Sequence, residues 1–349
     1  MRATGTKSAM ITRTRPSLQN ELPDLRAKSW QKQLQEAIRC PKTLLKRLQL
    51  PVTLAPSASL AGQQFPLLVP EAFLNKIKTG DINDPLLRQV LPIQEELIAS
   101  TGFGSDPVGE QGNPQAGLIQ KYHGRALLMV NGHCAVNCRY CFRRHFPYEQ
   151  NRLSKEQWQA VIDTIANDIS ISEIIYSGGD PLASSDKQLQ WLTQRIAHIP
   201  HVKRLRIHSR LPVVIPERIN DECLHWLSHS ALKTVFVLHI NHANEIDTAL
   251  AVAVNKLKSA GVTVLNQSVL LKGVNDSEQV LNTLSETLFE NGILPYYLHQ
   301  LDKVAGAAHF AVSEARAKAL HQHLLATLPG YLVPALVSEI AGASSKTPL

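Results

Sequence analysis

The chain has 349 residues, 44% of them hydrophobic and 19% charged, with a formal net charge of +7, which is ordinary for a globular protein and enough for one large catalytic domain with an N-terminal extension. No apolar run reaches the roughly 18 residues a membrane-crossing helix needs, and the basic opening MRATGTKSAMITRTRPS lacks the apolar centre of a secretory signal, so a cytoplasmic protein without a membrane partner is expected. The lysines and arginines are scattered rather than gathered in a stripe with aromatics between them, which argues against nucleic acid and leaves anionic cofactors or acidic partners as what the charge favours.

Residues 1 to about 24 read as a flexible lead. Apolar residues at three- and four-residue spacing predict helices in LRAKSWQKQLQEAIRC and KTLLKRLQL. From Pro51 to about Gly117 short helical pieces alternate with Pro, Gly and Gln, so residues 1–120 are expected to form a mostly helical extension that caps a core over 121–349. From Arg125 onward strands and helices alternate. The candidate strands are RALLMV, EIIYSGG, RLRIHS, TVFVLHI, VTVLNQSVL and LPYYLHQL; the candidate helices are SKEQWQAVIDTIAN, DKQLQWLTQRIA, IDTALAVAVNKLKSAG and DSEQVLNTLSETLFENG. The second of these helices ends near Pro200 and the last two end on Gly261 and Gly292, a usual stop. Six such units imply an α/β fold with a parallel sheet and outer helices. Polar residues gather at the strand C-terminal ends, at Ser177–Asp180, Ser209–Arg210, His239–His242, Gln267 and Asp302. Parallel barrels carry their sites there, so a partial (β/α)6 barrel of TIM type is favoured over a doubly wound open sheet.

Five cysteines in so long a chain are not a disulfide framework. Cys40 and Cys223 are isolated and read as structural thiols. Cys134, Cys138 and Cys141 fall in the loop NGHCAVNCRYCFRRHFPY, spaced C-x3-C-x2-C. Thiolates are soft ligands for iron–sulfur clusters or zinc. Three of them on a four-iron (4Fe-4S) cluster leave one iron open, and S-adenosylmethionine can chelate that iron through its amino and carboxylate groups. A structural zinc site, completed by His133 or His145, is the alternative; zinc more often pairs its cysteines as CxxC.

The loop, with Tyr140 and Phe142 flanking its last cysteine, resembles that of the radical S-adenosylmethionine (radical SAM) superfamily. One strand later, SGGDPL resembles the glycine-rich turn with which that superfamily binds the methionine amino group, which implies that Ser177, Gly178, Gly179 and Asp180 contact S-adenosylmethionine. Gly178 and Gly179 are expected to let the backbone approach the ligand without a Cβ clash.

Over roughly residues 90–348 the resemblance narrows to the lysine 2,3-aminomutases. KYHGR is similar to their cofactor-phosphate segment, which implies that Lys121 and Arg125 hold the phosphate of pyridoxal 5′-phosphate with Tyr122 beside it. Arg143 matches the arginine that takes the substrate carboxylate, a bidentate task suited to a guanidinium. LHINHANEID and NQSVLLKGVND place His239 and Gln267 at positions lining the adenosyl ligand. The tail YLVPALVSEIAGASSKTPL resembles the family's strand, small-residue loop and lysine, making Lys346 the residue that joins pyridoxal phosphate as a Schiff base. Asp302 and Glu339 match the two carboxylates that grip the distal ammonium of lysine, although the family has aspartate at the second position. Two carboxylates offset the desolvation of an ammonium and repel a substrate carboxylate there.

The resemblance therefore implies an isomerase that converts L-lysine to β-lysine. The sequence stops three residues after Lys346, which resembles the branch that makes (R)-β-lysine for elongation factor P, with a separate ligase attaching it, more than the enzymes of free-lysine metabolism. A flavodoxin-type protein is the expected reductant, and an oligomeric assembly is compatible with the sequence. A non-catalytic iron–sulfur redox protein is the alternative from another class; it has no use for SGGDPL, a phosphate-binding pair or a terminal lysine.

Overall fold

The computed structural model describes residues 28–112 and 115–349; the expected flexible lead over residues 1 to 24 lies outside them. The helices of the N-terminal extension are Trp30–Gln35 (α1), Pro41–Arg47 (α2), Ala55–Gln64 (α3) and the one-turn Glu71–Leu74 (α4) and Pro85–Arg88 (α5). Their starts follow local chemistry. Ser29 caps α1 by accepting from Lys32 N, Pro41 opens α2 where no amide hydrogen is needed, and Asp84 caps α5 by accepting from Leu86 N and Leu87 N.

The sheet runs in sequence order from Leu118–Ile119 (β1) through Arg125–Asn131 (β2), Glu173–Gly178 (β3), Arg204–Ser209 (β4), Lys233–His239 (β5), Thr263–Val269 (β6), Leu294–His299 (β7) and Ala335–Ser338 (β8) to Thr347–Pro348 (β9). Every pairing from β2 to β8 is parallel, and the two-residue strands β1 and β9 close the edges antiparallel. The order never reverses, so there is no switch point of a doubly wound sheet. The six expected alternating strands are β2 to β7, and β8 is the strand that the tail resemblance implies.

Helices Lys155–Asn167 (α6), Asp186–Ala197 (α7), Leu211–Val214 (α8), Asp221–Ser228 (α9), Thr248–Ser259 (α10), Glu278–Glu290 (α11) and Glu314–Thr327 (α12) fill the crossovers. Ser154, Ser185, Asp247 and Ser277 cap α6, α7, α10 and α11 with their side chains. Gly261 and Gly292 adopt φ of 78° and 73° just past α10 and α11, a left-handed conformation that favours glycine.

One face of the strands carries Ile174, Tyr176, Leu205, Ile207, Phe236, Leu238 and Val264 into the main core against the helices, each such side chain contributing about 1.5–3 kcal/mol by leaving water. The same core holds Trp30, Leu44, Leu45 and Phe73, so the N-terminal helices share it rather than owning one. The division at residue 120 passes between β1 and β2. The other strand face mixes apolar residues such as Ile175 and Val237 with the polar Glu173, Arg206, His239 and Gln267. Arg206 on β4 reaches Glu173 on β3 at 2.8 Å and Tyr296 on β7 at 3.5 Å, which sets these side chains across a common interior. The two edges of the sheet also meet: Tyr122, beside β2, donates to Glu339, just past β8, at 2.7 Å. The sheet is thus a curved partial barrel whose open seam is bridged by side chains. No described helix is long and apolar enough to cross a membrane.

Candidate active site

The cysteine loop follows β2 and is folded by short backbone turns. Cys141 N donates to the Cys138 carbonyl at 3.0 Å and Arg144 N to the Cys141 carbonyl at 3.2 Å. Two buried arginines anchor it to the N-terminal extension through Glu96 in the turn Gln94–Leu97. Arg139 Nε and Nη2 donate to Glu96 at 2.8 and 2.6 Å, and Arg144 Nη2 donates to the same carboxylate at 2.8 Å. Burial pushes the Cys134 thiol well above its usual value, with Cys141, Asp180 and Cys138 adding to the push, and raises Cys141 to about 11. Such thiols give up their protons to a metal rather than to water. Among the described residues no three His, Cys, Asp or Glu side chains stand where they could share a single ion. A four-iron cluster does not ask for that, because each thiolate takes a different iron. Three half-buried sulfurs within mutual electrostatic reach are a donor set that fits it.

Gly178 has φ +127°, and a Cβ there would lie 2.3 Å from the Asn131 carbonyl oxygen; at Gly179 it would lie 2.7 Å from that of His133. The glycines expected to make room for a ligand make room for the cysteine loop itself. Gly179 N and Asp180 N donate to those same carbonyls at 2.7 and 2.8 Å. Asp180 is likewise engaged inside the protein. Its carboxylate accepts from Leu182 N, Ser209 Oγ, Arg210 N and Leu211 N at 2.8–3.0 Å, tying β3 to β4. Burial still raises its pKa to about 6. The Ser177 hydroxyl accepts from Arg143 Nη1 at 2.9 Å.

Arg143, expected to meet the substrate carboxylate, already holds one. Its Nε and Nη2 donate to Glu110 at 2.6 and 3.0 Å. Glu110 also pairs with Lys121 at 2.9 Å; burial opposes its charge, but Arg143 and Lys121 keep its pKa below the usual carboxylate value. Glu339, expected to grip a substrate ammonium, accepts from Lys346 Nζ at 2.5 Å, from Tyr122 at 2.7 Å and from Lys121 at 3.2 Å. Burial works against its charge, yet Lys346 and the other donors lower its pKa to about 2. Arg125 lies over the Tyr122 ring at 5.3 Å, and Lys346 over the Tyr297 ring at 5.7 Å. Lys121, Tyr122, Arg125 and Lys346 are therefore gathered at the seam, as a phosphate-bearing aldehyde cofactor joined to a lysine requires. Asp302 sits close enough to feel Glu339 and Lys346, and burial raises its pKa to about 7.

Deeper in the interior, Gln267 Nε2 donates to the His239 ring at 2.9 Å. Burial lowers the His239 pKa to about 3, with Arg210 and Arg143 reinforcing it. His208 and His299 are driven well below their usual value, by burial first. Gln267 Oε1, His208 Nε2 and His299 Nε2 are buried without a hydrogen-bond partner. Unpaired buried polar atoms are costly and mark places a polar ligand completes, which suits a nucleoside. Glu96, Glu110, His208 and His299 were not expected from the sequence. The two glutamates carry no local motif, and the histidines show only as polar residues near strand ends.

The radical SAM superfamily profile matches residues 128–284. The chain is 50% identical over 324 residues to the L-lysine 2,3-aminomutase of Escherichia coli (strain K12), covering 92% of this chain and 94% of that protein. Its identity to the L-lysine 2,3-aminomutase of Haemophilus influenzae is 50% over 320 residues, covering 91% and 95% of the two chains. To that of Clostridium subterminale it is 32% over 344 residues, covering 97% and 82%.

Proposed function

The chain belongs to the lysine 2,3-aminomutase family of radical SAM enzymes, and from that premise we propose that it is the pyridoxal phosphate-dependent isomerase that moves the α-amino group of L-lysine to Cβ. The observation that supports this most is the joining of Lys346 to Lys121 and Tyr122 through Glu339 at the barrel seam, with Asp302 alongside.

In this reading Cys134, Cys138 and Cys141 hold the four-iron cluster. The backbone of Ser177, Gly178 and Gly179, with His239 and Gln267, receives S-adenosylmethionine. Asp180 positions that turn from behind. Lys121, Arg125 and Tyr122 take the cofactor phosphate, and Lys346 takes its aldehyde. When bound, S-adenosylmethionine on the reduced cluster supplies a 5′-deoxyadenosyl radical, and pyridoxal phosphate supplies the conjugated system across which the nitrogen migrates. The remaining work belongs to the side chains. Glu339 Oε2 holds the free Lys346 amine, and Asp302 with Glu339 holds the substrate's distal ammonium when it arrives. Arg143 exchanges Glu110 for the substrate carboxylate on the same guanidinium edge. The histidines of the interior, neutral through burial, line it with polar atoms and no charge.

The finer reading is that the product is (R)-β-lysine destined for elongation factor P through a separate ligase, with a flavodoxin-type reductant. Glu339 in place of the family's aspartate agrees with it. The test is anaerobic incubation of the reconstituted enzyme with L-lysine, S-adenosylmethionine and dithionite, followed by chiral analysis. (R)-β-lysine supports the whole reading. (S)-β-lysine keeps the aminomutase and removes the elongation factor link. Deoxyadenosine without β-lysine removes lysine as the substrate.

A further inference from the structure

Arg210 stands at the end of β4, and its guanidinium is built into the protein from several directions. Nη1 donates to Cys138 Sγ at 2.7 Å and to the Tyr140 hydroxyl oxygen at 2.5 Å. Nη2 donates to Gln89 Oε1 at 2.6 Å and to Glu245 Oε2 at 2.9 Å. Asn241 Nδ2 donates to Tyr140 at 2.7 Å and to Gln89 at 3.0 Å, and Gln89 Nε2 donates to Glu245 at 3.1 Å. The Arg210 main chain is fixed as well, its amide donating to Asp180 Oδ2 at 2.9 Å. With side-chain exposures of 6% for Arg210 and 0% for Glu245, the group is shielded from water and salt. Among the described residues, Cys138 is the one member of the cysteine trio that receives a side-chain hydrogen bond.

A guanidinium held this firmly on one sulfur serves no purpose in recognising lysine. It bears on the charge of whatever that sulfur binds. Reduction of a four-iron cluster from the 2+ to the 1+ state takes one electron from a low-potential one-electron donor, adds one negative charge and transfers no proton. A fixed positive donor on a ligand sulfur stabilises the added charge, and hydrogen bonds to cluster sulfurs are among the levers that set the potential. Glu245 subtracts from that effect, since its carboxylate neutralises the same guanidinium at short range in a poorly screened site.

We infer that Arg210 is a tuning residue for electron entry: through its hydrogen bond to Cys138 it raises the reduction potential of the cluster, and Glu245 sets how much of its charge the cluster feels. This rests on the assignment of Cys134, Cys138 and Cys141 as cluster ligands. The two substitutions Arg210→Gln and Glu245→Gln therefore carry opposite signs.

The experiment is an electron paramagnetic resonance redox titration of the anaerobically reconstituted full chain, with dithionite as reductant and iron and sulfide measured on every sample. Arg210→Gln should shift the reduction equilibrium about tenfold toward the oxidised cluster, about 59 mV more negative for a one-electron couple. Glu245→Gln should move it the other way, keeping an acceptor for the guanidinium while removing the charge. Potentials unchanged in both variants, at wild-type iron content, overturn the inference and leave the cysteine assignment standing. A shift of the same sign in both overturns it too, because a general loosening of the site would do that. If Arg210→Gln fails to take up iron, the sign of the Glu245→Gln shift decides. Wild-type chain that takes up no iron under these conditions removes the cysteine assignment and this inference with it.

Discussion

The two sides of the barrel mouth manage charge in opposite ways. On the cysteine side the cations are arginines whose forks sit on buried glutamates: Arg139 and Arg144 share Glu96, with side-chain exposures of 0–1%, and Arg210 holds Glu245. At the seam Lys121 and Lys346 are 23% and 21% exposed and share Glu339. An arginine fork fixes a carboxylate in one geometry and never loses its proton, whereas a lysine is a mobile point charge that can exchange partners and be neutralised. The arginine side suits a cluster that must stay in place. Under the proposed function the lysine side suits partners that change on every turnover, with Lys346 and a substrate ammonium taking turns on Glu339.

The contrast can be broken most severely at the cysteines. Cys134→Ala, Cys138→Ala or Cys141→Ala should each abolish deoxyadenosine formation, while Cys40→Ala and Cys223→Ala retain it; equal loss of iron in the latter pair would end the assignment. The anchoring side is sharpened by Glu96→Gln. It leaves two buried guanidiniums without a counter-charge and should cost about 3 kcal/mol in denaturant unfolding, whereas Glu339→Gln at the seam should cost far less. Similar losses for both would mean the two sides are not built differently.

Asp302→Asn comes next, and it should lower lysine kcat/KM by about tenfold or more, since about 1.4 kcal/mol is one decade and a charge-assisted contact is worth at least that. Its pH dependence has a fixed sign. The Asp302 pKa is raised from 3.8 to about 7, so the carboxylate that binds an ammonium is lost as pH falls through about 7, and kcat/KM should fall with it. In the ligand-free protein the raised pKa favours folding at low pH, and that contribution is lost as pH rises from about 4 to about 7. The stability of Asp302→Asn relative to wild type should therefore climb across the same window. A flat difference would show that Asp302 titrates normally. Glu339→Asp is the smallest change. It should keep iron content and lower activity by a few-fold at most if the shorter arm reaches, and steady-state kinetics with lysine would show whether this pocket needs the extra methylene.

What the sequence made legible was local in the chain. The six strands, the cysteine spacing, SGGDPL and the terminal lysine are each read within about twenty residues, and the structure builds each expected strand. Long-range pairing was hidden. Glu96 meets Arg139 from 43 residues away, Glu110 meets Arg143 from 33, and Gln89 meets Arg210 from 121; no local pattern announces a lone glutamate that will cross the fold. Helix α12 also escaped notice because it buries only Ala317, Leu320 and Leu324, too thin a stripe for the spacing to register. Gly178 and Gly179 are expected from the sequence to make room for a ligand; in the fold, a Cβ at either would meet the cysteine loop.

Lys346 decides whether the seam is a cofactor pocket. Holoenzyme loaded with pyridoxal phosphate should be reduced with borohydride, digested and mapped. A phosphopyridoxyl label on Lys346, absent from Lys346→Ala protein that keeps wild-type iron content, is the predicted result. A label on Lys121 or another lysine, with Lys346 unmodified, would contradict it.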